Sequence, residues 1–201
     1  MNFRIALIAA ALAGCAGAPQ PAHTGSGYDL GPVAAAPGQR AHDALRGIEV
    51  FAPSWLDASA MQYRLAYRGG QRRQNYAESR WVAPPAELVG QALKMRLLSG
   101  EGAGTCSLHA DLDEFAQIFD TAASSRAVVE VRVQLLAPGG ELLARHSFKL
   151  SRPAVSADAQ GGAAAFSGAV EDLAAALHEW LGGLDRDAKP GLNIAQRCRG
   201  A

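Results

Sequence analysis

Three cysteines and one short histidine–carboxylate run are the residues of this chain whose types and spacing could do chemistry. Cys15 ends the run Leu12-Ala13-Gly14-Cys15, behind an apolar stretch, Ile5–Ala13, that follows the basic residue Arg4. This arrangement is typical of an export signal ending in a lipobox, in which the thiol is acylated and the chain is cut just before it. About nine apolar residues are too few to span a bilayer, so the segment is not a transmembrane helix.

The residues after Cys15 bear on where the mature chain would go. Ala16-Gly17-Ala18 is also an A-x-A-like cleavage site, so ordinary secretion is the alternative. Each buried CH₂ of an acyl chain adds about 0.8 kcal/mol of membrane affinity, and multiple chains give stable attachment. Since bacterial lipoproteins with Ala rather than Asp after the cysteine are sorted onward, the sequence predicts the periplasmic leaflet of the outer membrane.

Acylation of Cys15 would leave two other thiols, Cys106 and Cys198. In an oxidising compartment an even number of cysteines indicates a disulfide. The bond would tie the C-terminus to a mid-chain strand and close a loop of about 90 residues, for which the entropic estimate is on the order of 4 kcal/mol. Two unpaired thiols are the alternative.

The run His109-Ala110-Asp111-Leu112-Asp113 could hold a metal, because strand alternation places its imidazole and carboxylates on one face. The other face carries the apolar residues, so the interpretation we favour is a solvent-exposed strand face. His178-Glu179 lacks the second histidine of a zinc-binding helix. No nucleophile elbow is present, and the sequence predicts no catalytic residue, metal or cofactor.

Four arginines surround the Gly69-Gly70 turn and its return strand, and their guanidinium groups could bind lipid phosphates or an acidic protein partner. The alternative is a solvated hairpin tip. They are Arg68, Arg72, Arg73 and Arg80.

Length and charge limit the class of protein. Removing residues 1–14 leaves 187 of the 201 residues, near the size of one ordinary domain. Only Arg4 is lost with that segment, so the remaining chain has 18 basic and 19 acidic residues. This balance does not support nucleic-acid binding. The chain divides into a signal peptide (1–14), a lipid-anchored flexible tether (15–27), a single domain (28–187) and a tail (188–201) tied by the disulfide.

Periodicity predicts an α+β fold, a mostly antiparallel sheet with two long amphipathic helices packed on it. Residues 45–51 form a buried strand, and residues 61–67 alternate and return through 74–81. The buried parity reverses within 105–119, so a bulge is expected near Asp113-Glu114. A hairpin follows, with strands 127–136 and 141–150. The first helix begins at Pro84-Pro85 and carries the apolar stripe Leu88, Val89, Ala92, Leu93 and Leu97. The second helix spans residues 163–184.

Several segments together, behind a lipobox, resemble the ABC-type transport auxiliary lipoprotein family, the PqiC-like proteins. The resemblance covers roughly residues 28–184 and depends on the combination of Ile48–Asp57, Met61–Arg64, Tyr76–Pro85 and Asp113–Phe119. The chain departs from that family in its Cys106/Cys198 pair and its hydrophilic tail. The resemblance implies a small α+β fold and a non-catalytic component of an intermembrane lipid-transport system.

The resemblance implies that the partners are an MCE-domain protein and its ABC permease and ATPase. It also implies assembly as a ring at the outer membrane, as in some members of the family. A monomeric lipoprotein that carries a hydrophobic ligand in its own cavity is the alternative from another class. A periplasmic hydrolase would need a nucleophile–base pair, which the sequence does not show.

Overall fold

The structure, a computed structural model, describes residues 25–32, 44–98, 104–186 and 194–198. The predicted signal peptide, Cys15 and most of the predicted tether lie outside these residues. In chain order the elements are β1 (Ser26–Tyr28), β2 (Leu45–Phe51), β3 (Ala60–Leu65), a 3-10 turn (Ala66–Arg68), β4 (Arg73–Trp81), α1 (Pro85–Leu97), β5 (Cys106–Phe119), β6 (Ser125–Leu136), β7 (Leu142–Pro153), α2 (Ala159–Arg186) and α3 (Ile194–Arg197).

The sheet is built around β5, the longest strand. On one side, β6 pairs with β5 along almost its whole length. The other side is shared by β2, which runs beside Cys106–Asp111, and β3, which runs beside Gln117–Phe119. The strand order through the main path is β1-β4-β3-β5-β6-β7.

The predicted α+β class is confirmed, but the sheet is more mixed than the sequence indicates. The pairs β3–β4, β5–β6 and β6–β7 are antiparallel, whereas β1–β4, β2–β5 and β3–β5 are parallel. Antiparallel neighbours are joined by short turns that leave a local signal in the sequence. Parallel neighbours need long connections, so their pairing leaves no such signal.

The bulge predicted near Asp113-Glu114 is confirmed. The register of β5 against β6 shifts between Leu112 and Glu114. Before the shift the even-numbered side chains are buried, and after it Phe115, Gln117 and Phe119 are buried. A β-bulge inserts one extra residue and so moves the following side chains to the opposite face. Both halves of β5 therefore contribute to the same core.

Both long helices pack on one face of the sheet. The predicted apolar stripe of α1 is buried, and α1 lies against β2 and α2 while α2 covers β6 and β7. Between the layers the rings of Phe115 and Phe166 stack with centroids 4.1 Å apart, and Trp81 lies 5.4 Å from each. Aromatic contacts of this kind stabilise a core beyond the area that they bury.

Two strand boundaries differ from the predictions. Ser26 and Gly27, assigned to the tether by composition, belong to β1 and pair with β4. The strand β3 ends at Leu65, so Tyr67 lies in the 3-10 turn and is exposed instead of continuing the buried face. The chain reverses there because Gly69 and Gly70 adopt positive φ angles of 96° and 71°, which other residues rarely adopt.

Helix α2 begins four residues before its predicted start, because Asp158 caps it. The Asp158 Oδ1 accepts the backbone N–H of Gly161 at 2.7 Å and the hydroxyl of Ser156 at 2.8 Å. These two hydrogen bonds hold the pKa of Asp158 below its usual range, and the bond from the Gly161 N–H has the larger effect. A capping carboxylate satisfies backbone donors that the first turn leaves unpaired, so the helix can start ahead of its apolar stripe.

Candidate functional site

The chain reaches the described domain from Cys15 through β1. Gly25 is the first described residue and lies ten positions after Cys15. Ser26 and Tyr28 pair with Ser79 and Trp81 of β4, so β1 lies at one edge of the sheet. Within the described residues, no helix is long and apolar enough to cross a membrane.

The predicted arginine cluster is divided by the structure into different environments. Arg73 forms a two-point ion pair with Glu114, with Nη1–Oε1 and Nη2–Oε2 distances of 2.8 Å and 2.9 Å. Arg64 donates to the same carboxylate at 3.2 Å. The bulge in β5 brings Glu114 to this position, and its Oε1 also accepts the N–H of Phe115 at 3.1 Å.

Arg73 is held further by its neighbours. It donates to Gln62 Oε1 at 2.8 Å, and its guanidinium lies 4.3 Å from the ring centroid of Trp55. Gln62 is buried, contrary to the alternation expected for β3, because its amide also donates to the Trp55 carbonyl at 2.9 Å. Buried polar groups are tolerated when they are hydrogen-bonded in this way. Arg73 is thus part of the fold, unlike the other three arginines of the predicted cluster.

The remaining arginines, Arg68, Arg72 and Arg80, are exposed and form no ion pair with another described residue. Arg68 lies over the ring of Tyr67, 5.5 Å from its centroid. Arg68 and Arg72 flank the Gly69-Gly70 turn, whereas Arg80 lies at the far end of β4 beside β1. A nine-residue strand is about 30 Å long, so Arg80 does not share a surface with the other two.

We expect Glu114→Gln to lower the free energy of unfolding by about 2 kcal/mol, because two half-buried guanidinium groups would lose their shared anion. The matched control is Glu130→Gln, which removes an exposed pair with Lys149 and should cost under about 0.5 kcal/mol. Urea denaturation of both variants measures the difference. Equal losses would show that the Glu114 cluster contributes no more than a surface pair.

The residues of the predicted histidine–carboxylate run lie on the uncovered face of the sheet. His109 Nε2 lies 3.2 Å from Glu49 Oε2, and Arg132 lies 2.6 Å from Asp113 and 3.8 Å from Asp111. His109, Asp111 and Asp113 are partly exposed on this face, in agreement with the favoured interpretation of a solvent-exposed strand face. In the described part of the chain, no three potential ligands come together as a metal site.

A buried polar cluster around Gln117 was not predicted from the sequence. Gln117 is 1% exposed, and its Nε2 donates to Ser125 Oγ at 2.7 Å and to the Asp158 carbonyl at 3.0 Å. The Tyr76 hydroxyl donates to Gln117 Oε1 at 2.9 Å. Burial raises the pKa of Tyr76 above its usual value, and the nearby negative charge of Asp158 raises it further by a smaller amount. The cluster joins β4, β5 and β6 to the start of α2.

Two local signals could have indicated this cluster. After the bulge, Gln117 lies on the parity of the buried Phe115 and Phe119, so an amide in the core needs partners. The pair Gly161-Gly162 at a helix start indicates a close approach, and a Cβ on Gly162 would lie 2.1 Å from Gln117 Oε1. Every amide atom of Gln117 thus has a partner within the fold, and the cluster joins α2 to the sheet.

Cys106 and Cys198 are bonded in the structure, both are buried, and their Cα atoms lie 5.0 Å apart. The bond places α3 against the start of β5, where the Thr105 N–H donates to the Cys198 carbonyl at 2.8 Å. Ile194 of α3 is also buried, and Arg197 forms an ion pair with Glu141 beside the β6–β7 turn. The described part of the tail is therefore packed onto the domain.

Three depressions that are lined by described residues open to solvent. Their volumes are about 480, 340 and 220 Å³, and all three adjoin β1 or the short segment after it. The space between the sheet and the helices is filled by the aromatic stack and aliphatic side chains. The ligand-carrying alternative would require an apolar cavity in place of this packing.

The structure is a two-layer α+β domain, and the chain enters it at an edge strand. The polar clusters around Glu114 and Gln117 connect strands and helices of this domain to one another. The chain belongs to the family described as the ABC-type transport auxiliary lipoprotein component, whose model matches residues 28–178. This confirms the family that the sequence resembles. The family is that of an auxiliary transport component and is not described as an enzyme family.

Two solved structures have a similar fold. A crystal structure from Xanthomonas campestris, assigned to the family of unknown function DUF330, matches with a TM-score of 0.60 at 19% identity, covering 85% of this chain and 94% of that one. The crystal structure of an uncharacterised protein matches with a TM-score of 0.60 at 14% identity, covering 79% of this chain and 99% of that one. No protein with a curated description matches significantly. At these identities the likeness shows the fold alone.

Proposed function

We propose that this protein is a non-catalytic outer-membrane lipoprotein of an intermembrane phospholipid transport system, where it docks an MCE-domain protein. The observation that carries the proposal is the family match over residues 28–178 behind the lipobox at Cys15. The anchor would hold the domain at the periplasmic leaflet of the outer membrane, and the permease and ATPase would lie in the inner membrane. In this proposal a homo-oligomeric ring of the protein docks the MCE-domain protein and so joins the two membranes.

The geometry supports a binding role. Asp111 and Asp113 of the histidine–carboxylate run pair with Arg132, and Gln117 and Tyr76 brace the helix start. The guanidinium groups of Arg68 and Arg72 at the hairpin tip are exposed and form no ion pair with a described residue, so they suit an acidic surface on a protein partner. Rim charges of this kind act mainly on the rate of association and on its salt dependence.

The test is co-purification, in mild detergent, with an MCE-domain protein from the same organism. We expect a stable complex with the acylated protein, and a several-fold weaker one for Arg68→Glu with Arg72→Glu, because like charges would then face each other. The matched control is Arg145→Glu, an exposed position on β7 at the other edge of the sheet. Absence of association with the unchanged protein would contradict the docking proposal.

The anchor is tested separately by the mass of the mature N-terminus. We expect an acylated Cys15 as the first residue and recovery of the protein in the outer-membrane fraction. A soluble periplasmic protein that begins after Ala18 with an unmodified amino group would support the secreted alternative and contradict the proposed location.

A further inference from the structure

Two of the most exposed apolar side chains lie together beside the strand through which the chain enters the domain. Val82 is 62% exposed and Met95 is 56% exposed, and both line the shallow groove of about 220 Å³. Leu30, Leu88 and Ala92 line the same groove and are buried. Leaving such side chains in water is unfavourable, so two of them lining one groove favour an interaction surface there.

The groove adjoins the point at which the chain arrives from Cys15. The Val82 N–H donates to the Tyr28 carbonyl at 2.8 Å, and a Cβ on Gly27 would lie 3.2 Å from the Val82 side chain. Val82 therefore rests against β1. Only Ser26 separates Gly27 from Gly25, the first described residue on this side.

The length of chain before Gly25 determines which edge of the sheet stays near the anchor. Ten residues span at most about 35 Å, whatever conformation they adopt. The edge strand β7 lies five strand positions from β1, or about 24 Å across the sheet. This step rests on the proposed lipid anchor: acyl chains on Cys15 would keep the β1 edge within about 35 Å of the bilayer, whereas the β7 edge could lie farther away by the width of the sheet.

We propose that Val82 and Met95 form a lipid-contacting surface that rests on the phospholipid leaflet holding the Cys15 anchor. Lys94 lies three positions after the groove residue Gln91 on α1 and so neighbours it on the helix surface, and Arg80 is the strand partner of Gly27. Both cations are exposed and form no ion pair with another described residue, so their charges suit the phosphates of the headgroups. The one carboxylate lining the groove, Asp29, accepts the Gly31 N–H at 2.7 Å.

Two apolar side chains would bind a bilayer weakly from solution. An anchored domain is different, because the tether turns the contact into an intramolecular one with a high effective concentration. The surface would orient the domain, with the β1 edge toward the lipid and the β7 edge and the hairpin tip away from it. That orientation leaves Arg68 and Arg72 free for a protein partner.

The test uses the full-length acylated protein in vesicles of phosphatidylethanolamine and phosphatidylglycerol. A benzophenone-bearing amino acid is placed at Val82, at Met95 or, as the control, at Leu142, which is 48% exposed on β7. After irradiation, phospholipid adducts are measured by mass spectrometry. We expect about tenfold more adduct at Val82 and Met95 than at Leu142, because the tether concentrates lipid at the β1 edge.

Equal adduct yields at the three positions would overturn the proposal. So would cross-links from Val82 and Met95 to residues 33–43 of the same chain in place of lipid, since the groove would then hold that segment. The N-terminal mass of the same sample separates the two proposals. Acylated protein without lipid adducts overturns the contact surface alone, whereas an unmodified Cys15 overturns the anchor as well.

Discussion

Replacing Cys106 and Cys198 together by alanine is expected to lower the free energy of unfolding by about 4 kcal/mol. The bond joins residues 92 positions apart, so it removes a large part of the conformational freedom of the unfolded chain. For a chain of this length, such a loss corresponds to a fall in Tm of roughly 8–16 °C. Alanine is chosen because both sites are buried and a serine hydroxyl there would add its own cost.

Thermal and urea unfolding of the double variant, beside the unchanged protein with and without reductant, measures this effect. We expect reductant to bring the unchanged protein close to the variant and to leave the variant unaffected. Peptide mapping without reductant should recover Cys106 and Cys198 in one linked peptide. Two free thiols in the untreated protein, with unfolding insensitive to reductant, would show that the pairing does not form.

Gly162→Ala is expected to lower the free energy of unfolding by about 3 kcal/mol, although alanine is normally the better helix residue. The added methyl group would lie 2.1 Å from Gln117 Oε1 and 2.6 Å from its Cδ. Gln117 cannot move away without breaking its bonds to Ser125, Tyr76 and the Asp158 carbonyl. Overpacking and the loss of buried hydrogen bonds therefore act together.

The matched control lies in the same helix. A Cβ on Gly182 would meet no atom within 4 Å, so Gly182→Ala should raise the free energy of unfolding by about 0.5–1 kcal/mol. Urea denaturation of both variants checks the opposite signs. Combining Gly162→Ala with Gln117→Ala should cost less than the sum of the two single changes, because both act on the same side chain. If the two losses were additive, Gly162→Ala would destabilise the protein by a route other than its contact with Gln117.

The parts of the fold that could be predicted from the sequence are those that depend on neighbours in the chain. The strand at residues 45–51, the bulge near Glu114 and the apolar stripe of α1 follow from burial periodicity, which a strand or helix imposes on its own sequence. The β6–β7 hairpin follows from Gly139 and Gly140, whose φ angles of 90° and 88° favour glycine.

Local patterns could not predict which polar side chains meet. Arg73 and Arg80 belong to one short cluster in the sequence, yet one binds Glu114 from β5 and the other lies beside β1. Alternation from Met61 places Gln62 on the outer face of β3, yet Gln62 is buried, because Arg73 and the Trp55 carbonyl satisfy its amide. Each outcome depends on a partner far along the chain, and alternation within one strand carries no information about such a partner.

The sequence by itself determined the family and the α+β class, because each is a property of local residue order or of periodic burial. The tertiary structure decided the parallel pairings around β5, the ion pairs of Glu114 and the cluster that joins Gln117 to the start of α2. It also decided that Val82 and Met95 share a groove next to β1. These contacts join distant parts of the chain, and their energies exist only once the layers have packed.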